Sequence, residues 1–442
     1  MLTSRQTQQL DQLLSTVNEM TSNSISDWHQ TLADEVRTAV ASIEQMTVAA
    51  SQASLVQQMS QMFDRQEQAI LQTLDLPLRT LQKLVDSGHL DESQKTKLLF
   101  QLGGIYEQLT QWDTALDQYY RSLDYCQADS LKKADVLKRI GRIKSKQRDY
   151  SASNSLYRDS LALYLELQNQ HQASQLYVCM GWNDFQSDNY QLAEANYQRG
   201  LKLAESLDDA KYLIADVRMN MAILDTVRGQ FHTALSHYEE SVAAYELIND
   251  DRGLAQVHYN MGLLYVDIEA WQKAGESYQK SLELAQKQSN LYIMGHVYLS
   301  YTELALKLSD LELAQASCMH AIKIFGRLGS QPQLAEAYKY AGQIQHRRKA
   351  FEKSERFFQK SVELAEACDS RLNQAEAHYE YGLTFVAKSD RDNAQVQLNE
   401  ALHIFTALGA QADVERTQAA LAQVAETQPE AAPSSRFKRI KR

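Results

Sequence analysis

Proline is nearly absent from this 442-residue sequence. Pro77, Pro332, Pro429 and Pro433 are the only four, and none falls between Leu78 and Gln331. A proline inside a helix costs roughly 3 kcal/mol, whereas turns and sheet edges use it freely. So long a stretch without one, rich in Ala, Leu, Gln and Glu, reads as helix throughout. Cysteine is scarce too: Cys126, Cys179, Cys318 and Cys368 are scattered with no CxxC spacing. They suggest neither a disulfide framework nor a zinc site, and a reducing, cytoplasmic setting fits them best. No apolar run reaches the ~18 residues of a membrane span, and the opening MLTSRQTQQLDQLL lacks the basic start and apolar core of a signal peptide. Positive charge is short as well. The formal charge of −11 provides no field to displace phosphate counterions, so nucleic acid is not an expected partner. The balance is uneven, however, because Arg436, Lys438, Arg439, Lys441 and Arg442 put +5 in the last seven residues and leave −16 on the rest.

Motifs of catalysis are missing in the same way. There is no phosphate-cradling glycine loop, HExxH, nucleophile elbow or paired-carboxylate motif. His232 and His237 stand close in sequence without a third ligand at useful spacing, which reads as helix surface. No enzyme activity, metal or cofactor is expected.

What the sequence does have is a repeat. A small residue recurs as Gly103, Gly141, Gly181, Ala222, Gly262, Thr302, Gly342 and Gly382, in steps of 38, 40, 41, 40, 40, 40 and 40. Nine positions on stand Trp112, Tyr150, Tyr190, Phe231, Trp271, Leu311, Phe351 and Arg391. Three further on come Ala115, Ser153, Ala193, Ala234, Ala274, Ala314, Ser354 and Ala394. Three columns held in register through eight units mark helix pairs that stack, since one pair cannot bury its apolar face alone. The small residue is expected where two helix backbones approach, and the aromatic as a plug at the turn. Thr302, together with Cys318 in place of the usual Tyr, predicts the poorest packing in the sixth unit. Asp91 with Gln94 forms a capping-box start. One period beyond Gly382 falls Ala422, which predicts a lone helix over 411–426 capping the array.

These columns resemble the tetratricopeptide repeat family over roughly residues 91–426, with a 40-residue period instead of the common ~34. Long-period repeats of this kind are similar to those of Pins-type adaptors, kinesin light chains and the Rap regulators of bacilli. The resemblance implies an all-α, right-handed superhelical solenoid of eight helix pairs over 91–410, followed by the 411–426 cap. Residues 1–90 do not share the period. Leu10 to Val17, Trp28 to Ile43 and Leu55 to Ile70 mark three amphipathic helices, and Pro77 opens a short segment with Leu78, Leu81 and Leu84. This group reads as a small bundle or coiled coil, able to pair copies of the chain, with a DNA-reading helix-turn-helix disfavoured by its charge. Residues 427–442 (TQPEAAPSSRFKRIKR) read as a solvated basic tail, or as a polybasic contact.

In the family the concave face is lined by the first helix of each unit, two, three and six residues before the small position and one and four after it. The resemblance thus implies a partner-binding groove. It has a basic end of Lys138, Arg139, Arg142 and Lys146, apolar walls of Val178, Trp182, Phe185, Met219, Ile223, Tyr259, Leu263 and Val266, and two amides, Asn220 and Asn260, where relatives clamp a peptide backbone. Lys339, Gln343 and His346 return it to polar character. The expected occupant is a protein or peptide segment with an apolar stretch and an acidic end. Two functions compete: a non-catalytic adaptor, and a peptide-responsive regulator of Rap type that signals through the N-terminal helices.

Overall fold

The computed structural model describes residues 90–126 and 128–426 and, ahead of them, residues 78, 79, 81–83, 85 and 86. The three expected N-terminal helices and the basic tail 427–442 lie outside the described residues. Every regular element among those described is a helix. The first helices of the eight repeats pair with the second as follows: α1 (Glu92–Gln108) with α2 (Trp112–Tyr125), α3 (Ser130–Lys146) with α4 (Tyr150–Glu166), α5 (Gln170–Gln186) with α6 (Tyr190–Glu205), and α7 (Lys211–Val227) with α8 (Phe231–Leu247). The remaining pairs are α9 (Asp251–Asp267) with α10 (Trp271–Lys287), α11 (Leu291–Lys307) with α12 (Leu311–Arg327), α13 (Gln331–Arg347) with α14 (Phe351–Ala367), and α15 (Arg371–Ala387) with α16 (Arg391–Leu408). Helix α17 (Gln411–Glu426) follows alone. None of these helices is long and apolar enough to cross a membrane. The chain divides between Ser289 and Asn290 into two compact blocks, a proximal one carrying α1–α10 and a distal one carrying α11–α17.

Sharp turns end the helices at regular places. Between the two helices of each repeat one residue adopts a left-handed conformation: Thr110, Arg148, Asp188, Gly229, Glu269, Ser309, Lys349 and Ser389. Only Gly229 does so without a Cβ penalty. Eight of the sixteen paired helices start at a side-chain cap, most completely at Asp91, whose carboxylate accepts from the Gln94 amide at 2.8 Å while the Gln94 side chain accepts from the Asp91 amide at 3.1 Å.

The core refines the expected role of the small residue. What lies nearest it is a side chain sixteen residues later, a ring in most repeats and Leu398 in the last, and second-helix backbone is also close, with the Ser153 and Ala193 carbonyls 3.4 and 3.2 Å from a Cβ added at Gly141 and Gly181. A Cβ added to Gly103, Gly141, Gly181 or Gly342 would stand 2.6 Å from Tyr119, Tyr157, Tyr197 or Phe358, and closer still to Tyr278 at Gly262. Those rings are fully buried, whereas the turn aromatics Trp112, Tyr150, Tyr190 and Phe231 are only half-buried. In the sixth repeat both members of this pair change. Thr302 adds volume where Cys318 removes it, and both are 0 % exposed. The Thr302 hydroxyl donates to the Tyr298 carbonyl at 2.8 Å, and Cys318 Sγ lies 3.2 Å from the Ala337 carbonyl.

A second buried tie recurs with the period. Nineteen residues after the small position, Ser122, Ser160, Ser241, Ser281 and Ser361 each donate a hydroxyl to a first-helix carbonyl, at 2.7–3.0 Å. In the third repeat Gly200 replaces the serine and the bond reverses, with Ser174 on α5 donating to the Gly200 carbonyl at 2.8 Å. A buried hydroxyl left without such a partner costs about 1–3 kcal/mol, so the position is held at both ends.

Both ends of the described array are covered. Leu78, Leu81 and Val85 are buried with Leu98, Leu99, Leu102 and Ile105 of α1. At the other end Thr417, Ala420 and Val424 of α17 are buried. Arg391, in the aromatic column, instead donates to the Ala425 carbonyl at 2.8 Å, a cation at a helix C-terminus.

Candidate functional site

The first-helix face of the proximal block carries a basic group and the exposed Trp182, and its basic end is organised by a residue the sequence reading missed. Glu107, near the end of α1, is buried and receives Arg142 at 2.6 Å, Arg139 at 3.4 Å, Lys146 at 3.8 Å and the Tyr119 hydroxyl at 3.1 Å. Burial alone would raise its pKa. The Arg142 hydrogen bond and the charges of Arg142, Arg139 and Lys146 outweigh this and hold the carboxyl below its usual range. Arg139 also lies over the Phe100 ring and Lys146 over Trp112, at 5.6 and 4.6 Å. One anion therefore fixes three cations and leaves the group with a surplus of positive charge. Lys138 is tied separately, donating to Gln175 at 2.8 Å and to Gln172 on α5.

Beyond the basic end, the apolar positions separate into two sets. Trp182 is 39 % exposed and rests on Phe185, with ring centroids 5.6 Å apart, while Phe185 in turn meets Tyr190 at 5.9 Å. Ile223 on α7 and Leu263 on α9 hold the same register position as Trp182, and both are half-buried, as are Met219, Tyr259 and Val266. Tyr259 lies 6.3 Å from the Tyr278 ring. Val178 corrects its expected place: at 6 % exposure it belongs to the core with Tyr197, Leu201 and Val217. Asn260 is likewise 8 % exposed, its amide oxygen accepting from Gln256 at 3.2 Å. Asn220 donates to the Asp216 carbonyl one turn earlier at 2.8 Å, so neither amide stands free.

Asp216, on the same face of α7, was also missed. No ion pair reaches it among the described residues, and burial pushes its carboxyl up to about 6 against a side-chain hydrogen bond with Asn220. Burial likewise pushes the Cys179 thiol up to about 11, which makes it a poor nucleophile. In the distal block Lys339 is buried against Glu376, and His346 Nδ1 lies 2.9 Å from the Thr384 hydroxyl. No group of three His, Cys, Asp or Glu side chains able to hold a metal occurs among the described residues, and His237 stands beside Arg218 and Asp225. The face thus presents rings and aliphatic groups flanked by excess positive charge.

A model of the tetratricopeptide repeat matches residues 96–166 and 213–287. No curated protein matches the sequence. Among solved structures, aspartyl phosphate phosphatase F from Bacillus subtilis superposes with a TM-score of 0.53 at 10 % identity, over 81 % of this chain and 96 % of that one. The apo form of the quorum sensor NprR from B. thuringiensis gives 0.55 at 14 %, over 81 % and 99 %. A signal-transduction ATPase with a tetratricopeptide repeat sensor, from Pyrococcus horikoshii, gives 0.56 at 15 %, over 82 % and 55 %. At these identities the likeness is one of fold.

Proposed function

We propose that this chain, a tetratricopeptide repeat protein, is a non-catalytic binding scaffold, and that the first-helix face of its proximal block holds a segment of a protein partner. Residues 91–410 serve as the binding array and 411–426 as its cap. The observation that carries the reading is Trp182. A tryptophan 39 % exposed, in line with Ile223 and Leu263, faces solvent at a position the core does not need. Exposed rings at the centre of an apolar strip are where binding energy concentrates. The partner segment presents an apolar stretch to Trp182, Phe185, Ile223, Leu263 and Val266, and its acidic end lies toward Arg139, Arg142 and Lys146.

The test is capture of partners from the native cell by wild-type chain and by Trp182→Ala. Loss of a buried aromatic anchor costs at least ~2 kcal/mol of binding, about thirty-fold in affinity. Capture should fail while the circular dichroism spectrum is unchanged. A folded Trp182→Ala chain that captures the same proteins equally well would remove this face from consideration. If the bound segment also compacts the chain in solution scattering, the scaffold is a peptide-responsive regulator of the Rap type; capture without compaction makes it an adaptor.

A further inference from the structure

Arg139, Arg142 and Lys146 stand three and four residues apart on α3, so one helix face carries three like charges. Cations at that spacing repel one another. A single anion, Glu107 of α1, answers all three, and among the described residues no other carboxylate lies within ion-pair distance of them. Asp135, one turn before Arg139, is engaged instead by the Tyr164 hydroxyl. Three charges against one leave a surplus of two. That surplus is held in place, because Arg139 and Lys146 also rest on the Phe100 and Trp112 rings. It is also open to solvent. The Arg139 and Arg142 side chains remain 37 % and 46 % exposed although both meet Glu107. A guanidinium has five N–H donors, so each keeps donors for a second anion. Position ties the group to the apolar strip: Arg142 directly follows Gly141 as Trp182 follows Gly181.

We propose that the second anion is a phosphorylated serine or threonine of the protein segment held against Trp182, its phosphoryl oxygens on Arg139 and Arg142, with Lys146 supplying field at the rim. This rests on the reading of the proximal face as the binding surface. Charge selects a phosphoryl group over a carboxylate. It carries about −1.5 to −2 at neutral pH on three strong acceptor oxygens, close to the surplus, whereas one carboxylate would leave a cation unanswered. Geometry selects it over two carboxylates. The cationic heads gather within 3.8 Å of one carboxylate group, while same-face side chains of an extended segment stand about 7 Å apart. Two guanidinium forks that converge on one place suit the oxygens of a single phosphoryl group. Their ordering is already met within the fold by Glu107 and the rings, so little is left to be lost on binding.

Degenerate peptide libraries passed over the immobilised full chain test this. One library fixes a central phosphoserine, a second fixes Glu-Xaa-Glu in its place, and a third fixes serine. The phosphoserine library should be retained about ten-fold over the other two, the worth of one charge-assisted hydrogen bond. Arg139→Gln leaves Arg142 and Lys146 on Glu107, and should lower that library to the level of the others with an unchanged circular dichroism spectrum. Arg139→Lys keeps the charge without the fork and should recover little of the preference. Trp182→Ala should erase the selection of apolar residues beside the phosphoserine while the preference for phosphate persists, so failure of the apolar strip shows separately. Equal retention of the phosphoserine and Glu-Xaa-Glu libraries would overturn the proposal and leave the role of Trp182 standing. A phosphoserine preference untouched by Arg139→Gln would overturn it as well. So would retention of phosphatidylinositol-phosphate vesicles, lost in Arg139→Gln, in place of the peptides, since the anion would then be a lipid headgroup.

Discussion

Directly after its small residue, each first helix of the proximal block from the second repeat on carries Arg142, Trp182, Ile223 or Leu263; the distal block carries Glu303, Gln343 and Leu383 there. Sixteen positions after that small residue the identities change too, with Tyr157, Tyr197, Tyr238 and Tyr278 in one block and Cys318, Phe358 and Leu398 in the other, but all are buried. One face of the same helix is set by what must fit beneath it, and the other is free to vary. Substitutions in the buried column should therefore cost folding, and substitutions on the open face should cost recognition.

The largest effect expected from this contrast is in the column. Gly262→Val drives a branched side chain into the Tyr278 ring, and overpacking of this kind costs about 3 kcal/mol, more than the ~1 kcal/mol regained by removing a helical glycine. Amide exchange in α9 and α10 should accelerate while exchange in the distal block is unchanged. The contrast sharpens with a pair swap. Gly262→Thr together with Tyr278→Cys copies the Thr302–Cys318 pair and should recover most of the loss seen for Gly262→Thr alone. Additive costs would show that the sixth repeat is not compensated in the way its geometry indicates.

A smaller effect separates two anions of the first helices. Asp216 has a folded pKa of about 6, above its ordinary 3.8, so the native state binds its proton more tightly and stability falls as pH rises from about 4 to 6. Asp216→Asn should remove that slope and stabilise the chain at pH 7 by at most ~2–3 kcal/mol, with little change at pH 4. Glu107 behaves in the opposite sense. Its folded pKa lies below the ordinary 4.5, so its contribution is present above that pH and fades as pH falls through the depressed value. Melting temperatures of wild type, Asp216→Asn and Glu107→Gln across pH 3–8 would reveal both slopes. An Asp216→Asn curve parallel to wild type would show that this carboxylate is not desolvated.

Why the columns could be read and the anions could not follows from the same contrast. Gly103 to Gly382 recur because each must admit a large side chain, and recurrence is visible in one sequence even when its cause is read only in part. The serine column at Ser122, Ser160, Ser241, Ser281 and Ser361 was equally visible in the sequence, but serine carries a weak signal until its carbonyl partner is placed. Glu107 and Asp216 occur once each, so periodicity says nothing about them, and their roles depend on what neighbouring helices bring near. Val178 shows the limit of register. At its position the longer Lys138, Met219 and Tyr259 emerge half-exposed, while the short valine stays within the core.

The smallest expected effect concerns the basic end, where geometry selects the residue to change. Reversing Arg142 would set a second anion against buried Glu107 and unsettle the fold, so lost binding would prove nothing about recognition. Lys146 is the better probe: its ammonium is half-exposed and, at 3.8 Å, the farthest of the three cations from Glu107. Lys146→Gln removes one rim charge and leaves Arg139 and Arg142 to hold the carboxylate. A rim charge acts chiefly on association, through a field that fades over about 8 Å at physiological salt. Association with an acidic-ended partner should therefore slow a few-fold at ~0.05 M salt and be unchanged at ~0.5 M, with dissociation unaffected, as stopped-flow mixing would read. An unchanged rate at low salt would place the partner's acidic end elsewhere, and a faster dissociation would make Lys146 a direct contact and not part of the field.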